Sequence, residues 1–106
     1  MRDIKWSDAE KKIAKRAFDA ALQRECAELM EQLKSSAAKA EYPSDIWAIN
    51  DYLTEQKKLI DGKYDYRYSQ LIFVFGRLLR EKLIEEKDIE GLGEEKLQHI
   101  RHIASF

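Results

Sequence analysis

Y-D-Y-R-Y-S-Q-L-I-F-V-F-G-R-L-L, residues 64–79, is the stretch on which the fold turns. It holds three tyrosines, two phenylalanines and the unbroken apolar run Leu71–Phe75. Alone, L-I-F-V-F could be a buried strand. Yet Tyr68, Leu71, Ile72, Phe75, Leu78, Leu79, Leu83 and Ile84 recur at helical steps. No second strand is visible to pair with it, and a lone strand would leave its ladder groups without partners. The segment is therefore predicted to be a helix. It is apolar around much of its circumference, as expected of a central helix or one buried in an interface. That is more apolar surface than one face of a small helical domain has to hide. It predicts packing against something large, such as a second copy of the chain.

Upstream lies D-I-W-A-I-N-D-Y-L, residues 45–53. Pro43 ends the segment before it, and Ser44 is placed to cap the helix that follows. Ile46, Ile49, Leu53 and Ile60 form the expected buried stripe. At about 100° per residue, Trp47 points away from that stripe and shares a side with Asp51, Thr54 and Lys58. Asp61-Gly62 is the expected stop, with Gly62 able to take the left-handed cap. Two readings of Trp47 stand side by side: an anchor for a partner protein, or a ring buried against another helix or in a dimer seam.

Further upstream, Ser7-Asp8-Ala9-Glu10 fits a capping box. Ile13, Ala17, Phe18, Ala21, Leu22, Cys26, Leu29, Met30 and Leu33 follow at three- and four-residue steps, and no glycine or proline interrupts them before Pro43. A helix from about Ser7 to Ala40 would be roughly 45–50 Å long. A compact 100-residue domain has a radius of gyration of only about 13 Å. Such a helix overhangs its own domain, and its apolar stripe needs a cover, for which a second chain is the natural candidate. A break at Ser35-Ser36, where two serines weaken the helix, is the alternative. Downstream, Ile89–Gly93 reads as a turn. A last helix from about Glu94 to Ile103 turns Leu97, Ile100 and Ile103 inward.

Composition bounds the function. The 106 residues suit one domain. At 44% hydrophobic the chain can build a core, and the 37% charged residues suit exposed helix faces. The net charge of -1, with acids and bases mixed, argues against a nucleic-acid-binding protein. No apolar run approaches the roughly 18–20 residues of a membrane helix, and no apolar stretch follows the N-terminal charges as in a signal peptide. The single cysteine permits no intrachain disulfide. The expected location is cytoplasmic.

No catalytic constellation is visible. His99 and His102 lie three apart, but nothing supplies the third and fourth ligands of a metal site. They read as histidines near the favourable C-terminal end of a helix. Cys26 falls on the apolar stripe and reads as a small core residue. Phosphate loops, nucleotide fingerprints and the serine-hydrolase elbow are absent. Glu85-Glu86 and Glu94-Glu95 read as solvated faces. The chain is not expected to be an enzyme or to hold a metal or cofactor.

Asp45-Ile46-Trp47, Asp51-Tyr52-Leu53, Ile60-Asp61-Gly62-Lys63-Tyr64-Asp65, Arg67, Ser69 and Ile72-Phe73-Val74-Phe75 resemble the fluorescence recovery protein family of cyanobacteria. The strings I-D-G-K-Y-D and I-F-V-F are specific. Trp6-Ser7 and Arg24-Glu25 in the first helix are more loosely similar. The resemblance implies an all-α protein, with a long N-terminal helix and shorter helices. It implies an elongated antiparallel homodimer with a helical head on each protomer. Residues 1–106 would be one domain, with about 1–62 forming the dimerising helices and about 63–106 the head. The implied function is non-enzymatic and cofactor-free. Family members bind the C-terminal domain of photoactivated orange carotenoid protein and speed its return to the resting form, ending non-photochemical quenching at the phycobilisome. The partner would bring the chain to the thylakoid surface.

The resemblance also implies site residues. In the family the dimer region uses a tryptophan, a histidine, an aspartate and an arginine of the second helix. The tryptophan and aspartate correspond to Trp47 and Asp51. The histidine is Asn50 here and the arginine is Lys57. A head phenylalanine linked to partner contact corresponds to Phe73, and a basic residue near the C-terminus is His99. Lysine cannot reproduce a bidentate guanidinium contact, and asparagine cannot become cationic. A related helical dimer serving a different protein client is therefore the alternative function.

Overall fold

The computed structural model describes residues 5–106. Four α-helices follow one another: α1 (Asp8–Lys39), α2 (Pro43–Lys63), α3 (Leu71–Arg80) and α4 (Glu94–Ala104), with a 3-10 turn at Glu86–Ile89 between the last two. There is no strand among the described residues, so the all-α reading holds, including the helical assignment of L-I-F-V-F.

The start of α1 is fixed as its sequence dictates. The Ser7 hydroxyl accepts from the Glu10 amide at 3.1 Å, and a Glu10 carboxylate oxygen accepts from the Ser7 amide at 3.0 Å. The other oxygen of Glu10 accepts from the Gly93 amide at 2.8 Å and lies 3.1 Å from the Lys96 ammonium. One carboxylate thus closes the first turn of α1 and holds the start of α4 against it. No break occurs at Ser35-Ser36, and α1 runs its full 32 residues.

The turn into α2 differs from the sequence expectation. Ser44 does not cap it. Pro43 occupies the first helical position, where its missing N–H is no loss. Tyr42 before it is extended, as the residue preceding a proline must be. The Asp45 carboxylate accepts from the amides of Glu41 at 2.9 Å and Tyr42 at 3.0 Å. These two donors hold Asp45 below the usual carboxylate range. The far end differs too. Gly62 is not left-handed, and the helix continues to Lys63, whose ammonium reaches back to α1.

Helix α3 is shorter than its periodicity suggests. Tyr68 sits in the turn before it, and Leu83 and Ile84 lie beyond it. The stop is a reversal at Lys82, with φ of 62°. The Lys82 amide donates to the Leu79 carbonyl at 3.1 Å and the Leu83 amide to the Leu78 carbonyl at 2.9 Å. That is the paired closure of a left-handed helix cap, with lysine in the position glycine usually fills. The reversal folds Leu83 and Ile84 back into the core instead of along the helix. At Gly91, φ of +100° does require glycine.

The core fills the space between α3, α4, the 3-10 turn and the first half of α1. Leu71, Phe75, Leu78, Ile89, Ile100, Ala14 and Ala21 are fully buried in it. Phe18 packs edge-on to Tyr64 and Tyr66, with ring centroids 5.3 and 4.8 Å away. All buried residues of α1 lie between Glu10 and Ala21, and the only one of α2 is Lys63. The rest of α1 and most of α2 form a two-helix arm reaching out from this head. The molecule measures 53 × 25 × 24 Å, with a radius of gyration of 16.8 Å. A compact chain of this length would have about 13 Å.

The arm corrects two burial expectations. Cys26 is exposed, since it lies beyond Ala21, the last residue of α1 that the core buries. Within the chain the α2 stripe is not buried either: Ile46 is exposed, and Ile49, Leu53 and Ile60 are half-buried.

Candidate functional site

Trp47, Asn50, Asp51 and Lys57 all lie on α2, and all are exposed. At about 100° per residue they fall within an arc of about 120°, so the helix gathers them on one face. Asp45 fixes the near end of that helix and Lys63 the far end. Trp47 is 65% exposed. The Asn50 carbonyl accepts from the Thr54 hydroxyl at 2.9 Å. The Lys57 ammonium stands 2.7 Å from Asp61 one turn on, an exposed pair that contributes little to stability. Asp51 has no ion-pair partner among the described residues.

Around this face the arm is unusually apolar for exposed surface. Met30 of α1 and Tyr42, Ile46, Tyr52 and Leu59 of the α2 region are all exposed. The seam between the two helices is also incompletely filled. A groove of about 420 Å³ runs past Leu29, Tyr52, Gln56 and Ile60. A second, of about 400 Å³, lies near the turn beside Ala48 and Ile49. Large apolar side chains left exposed on both helices of the arm, Trp47 among them, fit an interaction surface.

Phe73 is separate from this group. It lies on α3 in the head and is 43% exposed, while Leu71, Ile72, Val74 and Phe75 around it are buried. The structure does not bring it together with the α2 residues.

Sequence reasoning missed the joint between arm and head. The Lys63 side chain is 5% exposed, and its ammonium lies 2.7 Å from both Glu25 of α1 and Glu81 beyond α3. The Tyr64 hydroxyl donates to Glu25 at 2.9 Å, and Arg77 pairs with Glu81 at 2.7 Å. Next to it, Arg24 donates to the Leu83 carbonyl at 2.7 Å, holding the reversal after α3. Burial and the Glu25 hydrogen bond push the Tyr64 hydroxyl far above the ordinary tyrosine range. Burial works against ionisation of Glu81, but the Lys63 and Arg77 contacts outweigh it and hold that carboxyl low. The only local signals were the adjacent Arg24-Glu25 and the I-D-G-K-Y-D string. Nothing in either tells which residues pair across 38 and 18 positions.

His99 and His102 are exposed on α4, with the His102 ring edge-on to Phe106 at 5.0 Å. No group of three or more metal-binding side chains occurs among the described residues. No helix among them is long and apolar enough to cross a membrane.

Comparison with known proteins agrees with this architecture. Residues 6–104 match the family model of the photoprotection regulator fluorescence recovery protein. The fluorescence recovery protein of Synechocystis sp. is 36% identical over 99 residues, covering 93% of this chain and 91% of the relative. The solved structure of that protein from strain PCC 6803 superimposes with a TM-score of 0.91 at 35% identity, over 96% of this chain and all of the other. An arginine-to-lysine mutant of it matches with the same TM-score. The Fremyella diplosiphon fluorescence recovery protein also gives 0.91, at 34% identity, with 96% of this chain and 100% of that one covered.

Proposed function

The chain belongs to the fluorescence recovery protein family of photoprotection regulators, and from that premise we propose that it is a non-enzymatic regulator working as a homodimer. Two copies pair through the arm, with Trp47, Asn50, Asp51 and Lys57 at the seam and Met30, Ile46 and Leu59 covered by the partner. The second half of α1 and most of α2 supply the dimerising arm, and the head comprises about 63–106 together with the first half of α1. The dimer binds the C-terminal domain of photoactivated orange carotenoid protein, with Phe73 of the head as a contact. It speeds the return to the resting form by binding an intermediate of that return more tightly than the active state, which lowers the barrier without covalent chemistry.

The observation that carries this reading is the uncovered apolar arm, with Trp47 at 65% exposure on a helix fixed at both ends. One specific observation favours the second reading, a dimer of the same shape with a different protein client. Asn50 and Lys57 stand where the resemblance places histidine and arginine.

The test is the red-to-orange decay of photoactivated orange carotenoid protein, timed with and without the chain. Faster decay supports the first reading. An unchanged decay, with restored acceleration in Asn50→His/Lys57→Arg, assigns the loss to those two positions and favours the second. An unchanged decay with both proteins removes the carotenoid protein as the client.

A further inference from the structure

The first half of α1 carries a feature that neither the arm nor Phe73 uses. Lys11, Lys12, Lys15 and Arg16 are exposed on it, in two i, i+4 rows. With Tyr66 and Tyr68 they line an open groove of about 430 Å³ that no acidic residue enters. The Lys11 ammonium lies 5.2 Å from the centre of the Tyr68 ring, and the Lys15 ammonium 5.3 Å from that of Tyr66. Among the described residues only Lys15 has an ion-pair partner, Asp19 at 3.1 Å, an exposed pair that is weakly held. The chain as a whole carries a net charge of -1, so this concentration of positive charge is local.

We propose that this face docks an acidic polypeptide segment of a partner protein, a helix presenting carboxylates one turn apart with an aromatic or aliphatic side chain between them. Residues four apart on such a helix are spaced about 6 Å along its axis, which matches the two cationic rows of α1. The tyrosines offer apolar contact beside the charges, as interface anchors do. Single-stranded nucleic acid fits less well because it needs free ring faces for stacking. Here a lysine covers each ring on one side. Tyr66 also packs against Phe18 and Tyr68, and Tyr68 against Trp6. An anionic membrane fits less well because interfacial binding needs an apolar helix face to insert. The apolar face of α1 at this height, Ala14, Ala17 and Phe18, is inside the core. This surface is distinct from the Trp47 face and stands or falls independently of the carotenoid-protein reading.

The test is binding of the full chain to a labelled helix-forming peptide with glutamate pairs repeating every four residues and a phenylalanine between them, followed by fluorescence anisotropy. Measured affinity should fall by about tenfold or more in Lys11→Gln/Lys12→Gln/Lys15→Gln/Arg16→Gln, and fall again as salt rises past the screening range. It should be unchanged in Lys34→Gln/Lys39→Gln. Should the quadruple variant melt early, Lys11→Gln/Lys12→Gln alone still lowers affinity severalfold. Equal binding by the neutralised variants overturns the proposal. So does absence of binding, equal binding of a scrambled peptide, or tighter binding of single-stranded DNA or of phosphatidylserine vesicles.

Discussion

Lys63, with 5% of its side chain exposed, sits between two carboxylates contributed by residues 38 and 18 positions away. Removing the ammonium leaves those carboxylates facing each other in a partly buried joint. Loss of one partner of a buried pair costs about 3 kcal/mol. Lys63→Gln is expected to lower the midpoint of denaturant unfolding accordingly, with the arm losing its fixed angle to the head. Glu10 makes a pH prediction. Burial disfavours its charged form, but the amides of Ser7 and Gly93 and the Lys96 contact overcome this and bring it down to about 2. A carboxyl depressed in the folded state stabilises above its unfolded pKa, and that contribution is lost as pH falls. Here the window runs from the ordinary glutamate value of 4.5 down to about 2. The difference is worth about 3 kcal/mol at neutral pH. The stability gap between the natural chain and Glu10→Gln should therefore be widest above pH 5 and close towards pH 2, as read by urea titrations across that range.

At the scale of elements, two helix contacts turn on single small positions. A Cβ added to Gly76 would lie 2.6 Å from Ile103 Cβ, close to the α4 backbone, where the neighbour cannot swing aside. Gly76→Ala should destabilise by about 1–3 kcal/mol despite its better helix propensity. The opposite sign is expected at Lys82, whose left-handed backbone closes α3. Lys82→Gly should raise stability by about 0.5–1 kcal/mol, seen as a higher melting temperature. These positions also mark how far the sequence could be read. α1 was legible because its capping box and its apolar period were local and agreed. The helical nature of L-I-F-V-F was legible for the same reason. The stop at Lys82 was not, because lysine gives no sign of a left-handed turn, and the apolar period runs on through Leu83 and Ile84 into the same core. Gly62 gave the opposite false signal: a glycine near a helix end, passed over because Lys63 is drawn to Glu25 and Glu81. Of the candidate site, the shared side of Trp47 and Asp51 followed from helical spacing, whereas Asn50 and Lys57 came only from the family resemblance. The exposure of Cys26 and Ile46 did not, since periodicity shows which face is apolar without showing what covers it.

The whole molecule is a head with a packed core and an arm that lacks one. Its radius of gyration of 16.8 Å and its 53 Å length come from two helices that run past the core formed by the described residues. Within one chain, Met30, Ile46, Trp47 and Leu59 are each about half exposed or more. A buried tryptophan at the centre of a dimer seam typically contributes 2 kcal/mol or more to association, about a thirtyfold change in affinity. The account therefore rests on the arm being covered by a second copy. Sedimentation equilibrium of the natural chain beside Trp47→Ala measures this directly. The account predicts a species of twice 12.5 kDa for the natural chain, and dissociation of Trp47→Ala towards 12.5 kDa in the same concentration range with its helix content intact. A natural chain that stays at 12.5 kDa throughout, or a Trp47→Ala variant that associates as tightly, would contradict it.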